Sequence, residues 1–216
     1  MVEIVKFSAL IITFTIIMGF SFSAFIYKNV IDRILSGVQA SIIERLNSDD
    51  NVLDVACGTG SLSISMSEVA QKVTGLDLSE EMVDLARRTA HKKGATNVKF
   101  SPQDASDLSL FADNSFDIAV TSMAVHQFDA ALAIEILQEM KRIAGKVIIM
   151  DYNYQMPAGF SRLVIYIIEW IAGGDHYRNF RNFNALGGLD YFISASGLTI
   201  CEELYKSSSF RVAICE

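Results

Sequence analysis

The stretch NVLDVACGTGSL, residues 51–62, ends an apolar run on a carboxylate, a cysteine and two glycines that bracket a threonine. A turn of this kind between a strand and a helix leaves backbone N–H groups bare, and the helix start adds positive partial charge, so it suits a nucleotide or nucleoside. Two glycines two residues apart are weak evidence alone. A dinucleotide site ordinarily has a third glycine three residues on, and Ser63 stands at that place, which argues against a nicotinamide dinucleotide. A series of carboxylates strengthens the signal. Asp77 closes GLD, where it can accept both hydroxyls of a ribose, and Asp104 closes SPQD, where it can accept a hydrogen bond from an exocyclic amino group such as that of adenine. Asp54, just before the turn, adds negative charge.

The elements that must position these groups are read from periodicity. Residues 28–47 place Val30, Ile31, Ile34, Leu35, Val38, Ile42, Ile43 and Leu46 at spacings of three and four, an amphipathic helix. NVLDVA is then a short buried strand, TGSLSISMSEVAQK a helix and KVTGLD a second strand. SEEMVDLARRTAHKKG reads as the clearest helix: Ser79 caps it, Glu80 and Glu81 suit its positive end, Arg88, Lys92 and Lys93 its negative end, and Gly94 stops it. Strands at NVKFSPQD, FDIAVTSM and KVIIMDY, with a helix at DAALAIEILQEMKRIA, continue the alternation to residue 151. LTICEELY and SFRVAIC, separated by a short polar stretch, read as a hairpin. Alternating strands and helices imply an α/β fold with a parallel sheet, helices on both faces and ligands at the carboxyl ends of the strands. The three carboxylates therefore meet on one edge, with no Lys or Arg nearby. That edge suits a positively charged nucleoside better than a polyphosphate, and S-adenosylmethionine, with its sulfonium and ammonium, is such a ligand.

Composition narrows the partners. The 216 residues suffice for one domain. A net charge of -7 offers no attraction to a nucleic-acid backbone, so no nucleic acid is expected. Three widely spaced cysteines, Cys57, Cys201 and Cys215, suggest neither a disulfide framework nor a metal site, and indicate a reducing, cytoplasmic setting. Cys201 and Cys215 read as small buried hydrophobes. Hydrophobic residues make up 51% of the chain, and part of the excess lies at its start, where Phe7 to Tyr27 carries no charge. About 20 residues of helix cross a hydrocarbon core, so residues 1–28 read as an apolar helix that anchors the chain to a membrane or packs on protein. Residues 29–216 form the domain.

VLDVACGTG, GLDLSEEMVDLAR, QDASDL with FADNSFD, VTSMAVHQF and KVIIMDY occur in the order and spacing of class I S-adenosylmethionine-dependent methyltransferases, which the chain resembles over residues 30–216. The similarity is greatest to the ubiquinone/menaquinone-biosynthesis and related small-molecule methyltransferases. The resemblance implies a Rossmann-like, seven-stranded, mostly parallel sheet in which the last hairpin inserts one antiparallel strand. It also implies a cofactor site. Asp54, Ala56, Cys57, Gly58, Thr59 and Gly60 would line the methionine end of S-adenosylmethionine, Asp77 would bind its ribose, Met82 would lie near adenine, and Leu78 would also bind the cofactor. Asp104 with Ala105 would hold the adenine edge, while Thr121, Ser122 and Met123 would floor the site near the methyl group. Two departures stand out: Ala56 replaces a common glycine, and the fifth strand lacks the usual preceding Pro-Gly-Gly.

Displacement at a sulfonium is in-line with a good leaving group, so alignment can supply much of the acceleration and no metal is expected. His126, Asp175 and His176 are too dispersed in sequence for a zinc motif. A base is needed only if the acceptor loses a proton. His126, past the fourth strand, and the pair His176 and Tyr177 are the candidate catalytic residues. Residues 152–188, rich in aromatics and containing the apolar helix FSRLVIYIIEWIA, read as a lid over the acceptor, although packing on the sheet is the commoner fate of an apolar stripe such as Phe160, Leu163, Val164, Ile167, Ile168 and Ile171. Lid and N-terminal helix together favour a small lipophilic acceptor. The alternatives are a NAD-dependent Rossmann oxidoreductase and a non-catalytic, membrane-tethered nucleoside-binding module.

Overall fold

The computed structural model describes residues 32–216. The apolar run over residues 7–27 lies outside them; among the described residues no helix is long and apolar enough to cross a membrane.

The chain runs α1 (Asp32–Ile43), β1 (Asn51–Val55), α2 (Ser61–Met66), β2 (Lys72–Asp77), α3 (Glu80–Lys93), β3 (Val98–Pro102), β4 (Phe116–Ser122), α4 (Ala130–Ile143), β5 (Ala144–Tyr152), α5 (Phe160–Ala172), α6 (Gly174–Leu186), α7 (Leu189–Ala195), β6 (Ile200–Lys206) and β7 (Phe210–Cys215), with a 3-10 turn at Val125–Gln127. The seven strands are ordered β3-β2-β1-β4-β5-β7-β6. All pairings from β3 to β5 are parallel, and β7 enters antiparallel between β5 and β6. This is the expected Rossmann-like α/β fold with its C-terminal hairpin. The strand order reverses between β1 and β4, and such a reversal opens a crevice at the carboxyl ends of both strands.

Local chemistry explains most boundaries. Ser79 accepts from the Met82 N–H at the start of α3, and Gly94, with φ 71°, ends it in a left-handed cap. Asp129 caps α4 through the N–H groups of Ala131 and Leu132. Central strands carry apolar residues on both faces because helices cover both; Val52, Leu53 and Val55 of β1 are wholly buried.

Two elements differ from the sequence reading. The second helix stops at Met66 instead of continuing to Lys72, because Asn97 Nδ2 donates to the carbonyls of Ser67 and Ala70 at 2.9 and 3.0 Å and draws them out of the helical pattern. β5 begins at Ala144, which is also the C-cap of α4, so helix passes into strand with no loop. That is where the Pro-Gly-Gly is missing. The two C-terminal cysteines also part company: Cys215 is buried on β7, whereas Cys201 on the edge strand β6 is exposed, correcting the reading of both as buried.

Candidate functional site

The ends of β1, β2, β3 and β4 converge on a cleft of about 570 Å³. Of the residues expected at a cofactor site, Asp54, Ala56, Cys57, Gly58, Thr59, Asp77, Leu78, Met82, Asp104, Ala105, Ser122 and Met123 line it. Gly60 and Thr121 do not. Gly60 packs under α3: a side chain there would stand 2.7 Å from Ala86 Cβ and from the Phe100 ring. Thr121 is buried within β4. Leu35 and Gln39 of α1 close one side of the cleft, and Gln127, Phe128 and His176 close another. None of these was picked out as a wall by the sequence except His176.

The turn after β1 is drawn tight by Asp77. Its Oδ2 accepts the Gly58 N–H at 2.7 Å and its Oδ1 accepts the Ser79 N–H at 2.9 Å. The carboxylate thus joins the first turn to the start of α3. Asp104 Oδ1 accepts from the backbone and hydroxyl of Ser106 at 2.9 and 2.8 Å. Asp54 is 1% exposed and accepts the Ser63 hydroxyl, so the residue in the third-glycine position has a role of its own. Burial raises Asp54 to about 7; the Ser63 hydroxyl opposes the rise and the neighbouring Asp77 adds to it. Burial likewise pushes the Cys57 thiol far up, so it is an inert wall. Two non-glycine residues at the cleft, Ala56 (φ 58°) and Met123 (φ 57°), hold left-handed backbone at the ends of β1 and β4.

No Lys or Arg lines the cleft among the described residues, while Asp54, Asp77 and Asp104 all do. A wall of this composition favours a cation and disfavours a polyphosphate. Bare backbone accompanies the acids: a side chain built at Gly58 would meet nothing within 4 Å. The donor and acceptor set therefore fits S-adenosylmethionine.

Beside the cleft lies a buried polar cluster. His126, 1% exposed, does not line the cleft; its Nδ1 lies 2.6 Å from Asp151 Oδ1, and its backbone N–H donates to Asp151 Oδ2 at 3.1 Å. Glu169 of α5, 3% exposed, accepts the Tyr152 hydroxyl at 2.8 Å and lies 2.5 Å from His176 Nε2. His126 Nε2 stands 3.7 Å from Glu169 Oε1. Burial alone would lower the His126 pKa, but Asp151 and then Glu169 outweigh it and hold it above the ordinary value. Burial alone would raise Glu169, yet His176, His126 and Tyr152 together hold it below the usual range. Tyr177 packs against the core and is not part of the cleft wall. Glu169 and Asp151 were not singled out from the sequence. The signal for Glu169 was a lone acid between Ile168 and Trp170 in an otherwise apolar helix.

The segment expected to act as a lid, residues 152–188, contains α5 and α6. Asn179 of α6 donates to the Gln127 carbonyl at 2.8 Å and fixes α6 over the 3-10 turn. On α5 the inward residues are Ile165 and Glu169, while Phe160, Leu163 and Trp170 are 48%, 56% and 64% exposed. The packing of Phe160 and Leu163 on the sheet is therefore not observed.

A family model described as a methyltransferase domain matches residues 52–159, half of the chain. The chain belongs to this methyltransferase domain family. The uncharacterized methyltransferase YcgJ of Bacillus subtilis (strain 168) is 32% identical over 106 residues, 49% of this chain and 42% of that protein. A ubiquinone biosynthesis O-methyltransferase of Xanthomonas euvesicatoria pv. vesicatoria (strain 85-10) is 33% identical over 135 residues, 60% of this chain and 55% of that protein. The chain spans about half the length of these curated relatives. Among solved structures, PH0226 from Pyrococcus horikoshii OT3 matches with a TM-score of 0.68 at 20% identity, covering 87% of this chain and 91% of that one. Magnesium protoporphyrin IX methyltransferase (ChlM) from Synechocystis PCC 6803 with bound SAM matches with a TM-score of 0.56 at 18% identity, covering 85% and 78%. At these identities both speak for the methyltransferase fold alone.

Proposed function

We propose that this methyltransferase domain binds S-adenosylmethionine and transfers its methyl group to a small, lipophilic acceptor such as a quinone precursor, phenol, thiol or lipid amine. The observation that carries the reading is the cleft at the strand ends, walled by Asp54, Asp77 and Asp104 and by no Lys or Arg. Asp54 and the turn from Ala56 to Gly58 hold the cationic methionine end, Asp77 the ribose, and Leu78, Met82, Asp104 and Ala105 the adenine. The bound sulfonium supplies an activated methyl group. What the chain itself adds is alignment and the exclusion of water. His176, at the cleft wall and hydrogen-bonded to Glu169, is the group we assign to accept an acceptor proton where one must leave, and His126 acts behind it as a positioning residue.

The exposed apolar residues of α5 and the uncharged run at residues 7–27 support a lipophilic acceptor drawn from a bilayer. The name printed for the Xanthomonas relative is compatible with such an acceptor. Calorimetry with S-adenosylmethionine, S-adenosylhomocysteine and NADH tests the donor, with heat expected from the first two and none from NADH. Binding of NADH alone would return the cleft to the oxidoreductases. Turnover on a panel of phenols, thiols and amines separates an enzyme from a binding module. For the N-terminal run, deletion of residues 1–27 should release the chain from membranes; an intact chain found wholly in the soluble fraction would remove that part.

A further inference from the structure

Three side chains from separate elements, His126 after β4, Glu169 of α5 and His176 of α6, bring ligand atoms within 4.8 Å of one another. Two imidazoles and one carboxylate are the donor set of catalytic zinc sites, which keep a fourth position open. The surroundings are built for that role. Asp151 engages His126 Nδ1 at 2.6 Å, which orients the ring and leaves Nε2 directed toward Glu169, 3.7 Å from its Oε1. That gap is too long for a hydrogen bond and joins two acceptors when the imidazole is neutral. Tyr152 steadies the same Glu169 oxygen through its hydroxyl at 2.8 Å. A carboxylate behind a ligating histidine and a hydroxyl behind a ligating carboxylate are the outer supports that metal sites use.

Charge points the same way. Asp151 and Glu169 are buried together, a setting that favours a cation between them, either an imidazolium or a metal ion. One divalent cation neutralises them. An entry path exists as well, because the His176 side chain is 29% exposed and lines the cleft, whereas those of His126 and Glu169 are 2% and 5% exposed.

We propose that His126, Glu169 and His176 form a binding site for one divalent transition cation, zinc by its ligand set, with the open coordination position facing the cleft on the His176 side. The two imidazoles exclude magnesium and calcium, which take oxygen ligands. Closing on the ion moves His176 Nε2 and Glu169 Oε2 apart from their present 2.5 Å by up to about one ångström, since adjacent ligand atoms around zinc lie farther apart than hydrogen-bonded ones. The metal site stands on the cluster itself; only its role, binding an acceptor oxygen and lowering the pKa of its hydroxyl so that the ion and not the ligating His176 promotes loss of the acceptor proton, rests on the methyl-transfer reading.

The test uses the full chain, stripped with a chelator, gel-filtered and exposed to zinc or cobalt at about 10 µM. We expect about one equivalent of zinc by elemental analysis and intense visible bands from tetrahedral cobalt. Glu169→Gln and His176→Ala should each lower affinity at least on the order of 10-fold, and Asp151→Asn on the order of 10- to 100-fold, whereas His91→Ala, at the end of α3, should change nothing. Failure of the wild-type chain to take up zinc, or uptake that survives both ligand variants, overturns the site. If those variants do not fold, the cobalt spectrum of the wild type decides: tetrahedral bands support the site, and their absence overturns it. Calorimetry with S-adenosylmethionine on the stripped chain separates the two readings. Donor binding without metal uptake leaves methyl transfer standing and removes the metal; metal uptake without donor binding does the reverse.

Discussion

His126 Nδ1 lies 2.6 Å from Asp151 Oδ1, and neither side chain is more than 2% exposed. Asp151 also accepts the backbone N–H groups of His126 and Tyr152, at 3.1 and 2.7 Å, so one carboxylate fixes the end of β5 to the turn that follows β4. Replacing it by alanine leaves a buried imidazole and two N–H groups without their acceptor. Asp151→Ala should cost about 3–5 kcal/mol, read from the shift of the urea midpoint at unchanged slope. A loss below about 1 kcal/mol would mean that water fills the gap and that the pair matters little to the fold.

Asp54 makes stability and binding depend on pH. Its folded value of about 7 exceeds the ordinary 3.8, so between those values the folded chain keeps a proton that the unfolded chain has lost. The stability this group contributes is complete below about 3.8 and is lost as pH rises through about 7. Asp54→Asn, uncharged throughout, should therefore gain stability relative to the parent as pH rises, approaching about 4 kcal/mol above pH 7. Thermal melts across that window check the sign. A cationic ligand favours the ionised carboxylate, so affinity for S-adenosylmethionine should tighten toward pH 7 in the parent and stay flat in Asp54→Asn. A parent with no such slope would place the positive end of the ligand elsewhere.

Ala56 holds φ 58° where a glycine would rest without strain. Ala56→Gly should stabilise the protein by about 1 kcal/mol, a rise of roughly 2–4 °C in Tm for a chain of this size. Scanning calorimetry decides, and an unchanged or lower Tm would show that the alanine methyl contributes more by packing than its backbone costs.

Gly60 tests the opposite case. Its φ is 72°, and an added Cβ would meet Ala86 and Phe100 at 2.7 Å. Gly60→Ala should lose about 3 kcal/mol from left-handed strain and overpacking together, measured by urea unfolding. Wild-type stability would require α3 to shift, which chemical-shift changes at Ala86 would reveal.

Asp77 binds the turn and, by our reading, the ribose. Asp77→Ala should weaken S-adenosylmethionine on the order of 100-fold or more, since each lost charged hydrogen bond is worth about 1.5–3 kcal/mol. Calorimetry on a variant with a native melt is the check. Unchanged affinity would detach the ligand from this end of the cleft.

Much of the fold is legible in the sequence because its causes are local. Ser79, Glu80 and Gly94 mark α3 within a residue, since capping and left-handed termination act over one turn of helix. NVLDV and KVTGLD read as strands from their apolar runs, and the alternation that follows implies parallel pairing. The end of α2 was missed because its terminator, Asn97, lies thirty residues away in sequence. The exposure of Phe160 and Leu163 was left open for a related reason: an apolar stripe shows that a face exists, and not what covers it.

By itself the sequence determined the alternation of strands and helices up to residue 151 and the final hairpin, the bare turn at residues 56–60, and the acids that close β2 and β3, because spacing, capping and strand termination are short-range; α6 was not read from it. Tertiary structure alone decided which distant side chains meet. Asp151, His126, Glu169 and His176 converge because β4 and β5 pair in parallel and α5 and α6 fold back over their ends. Leu35 and Gln39 reach the cleft because α1 packs beside α2. Such meetings follow from chain crossings that local propensity does not encode, and burying Asp151, His126 and Glu169 together is tolerable only because each finds its partner there.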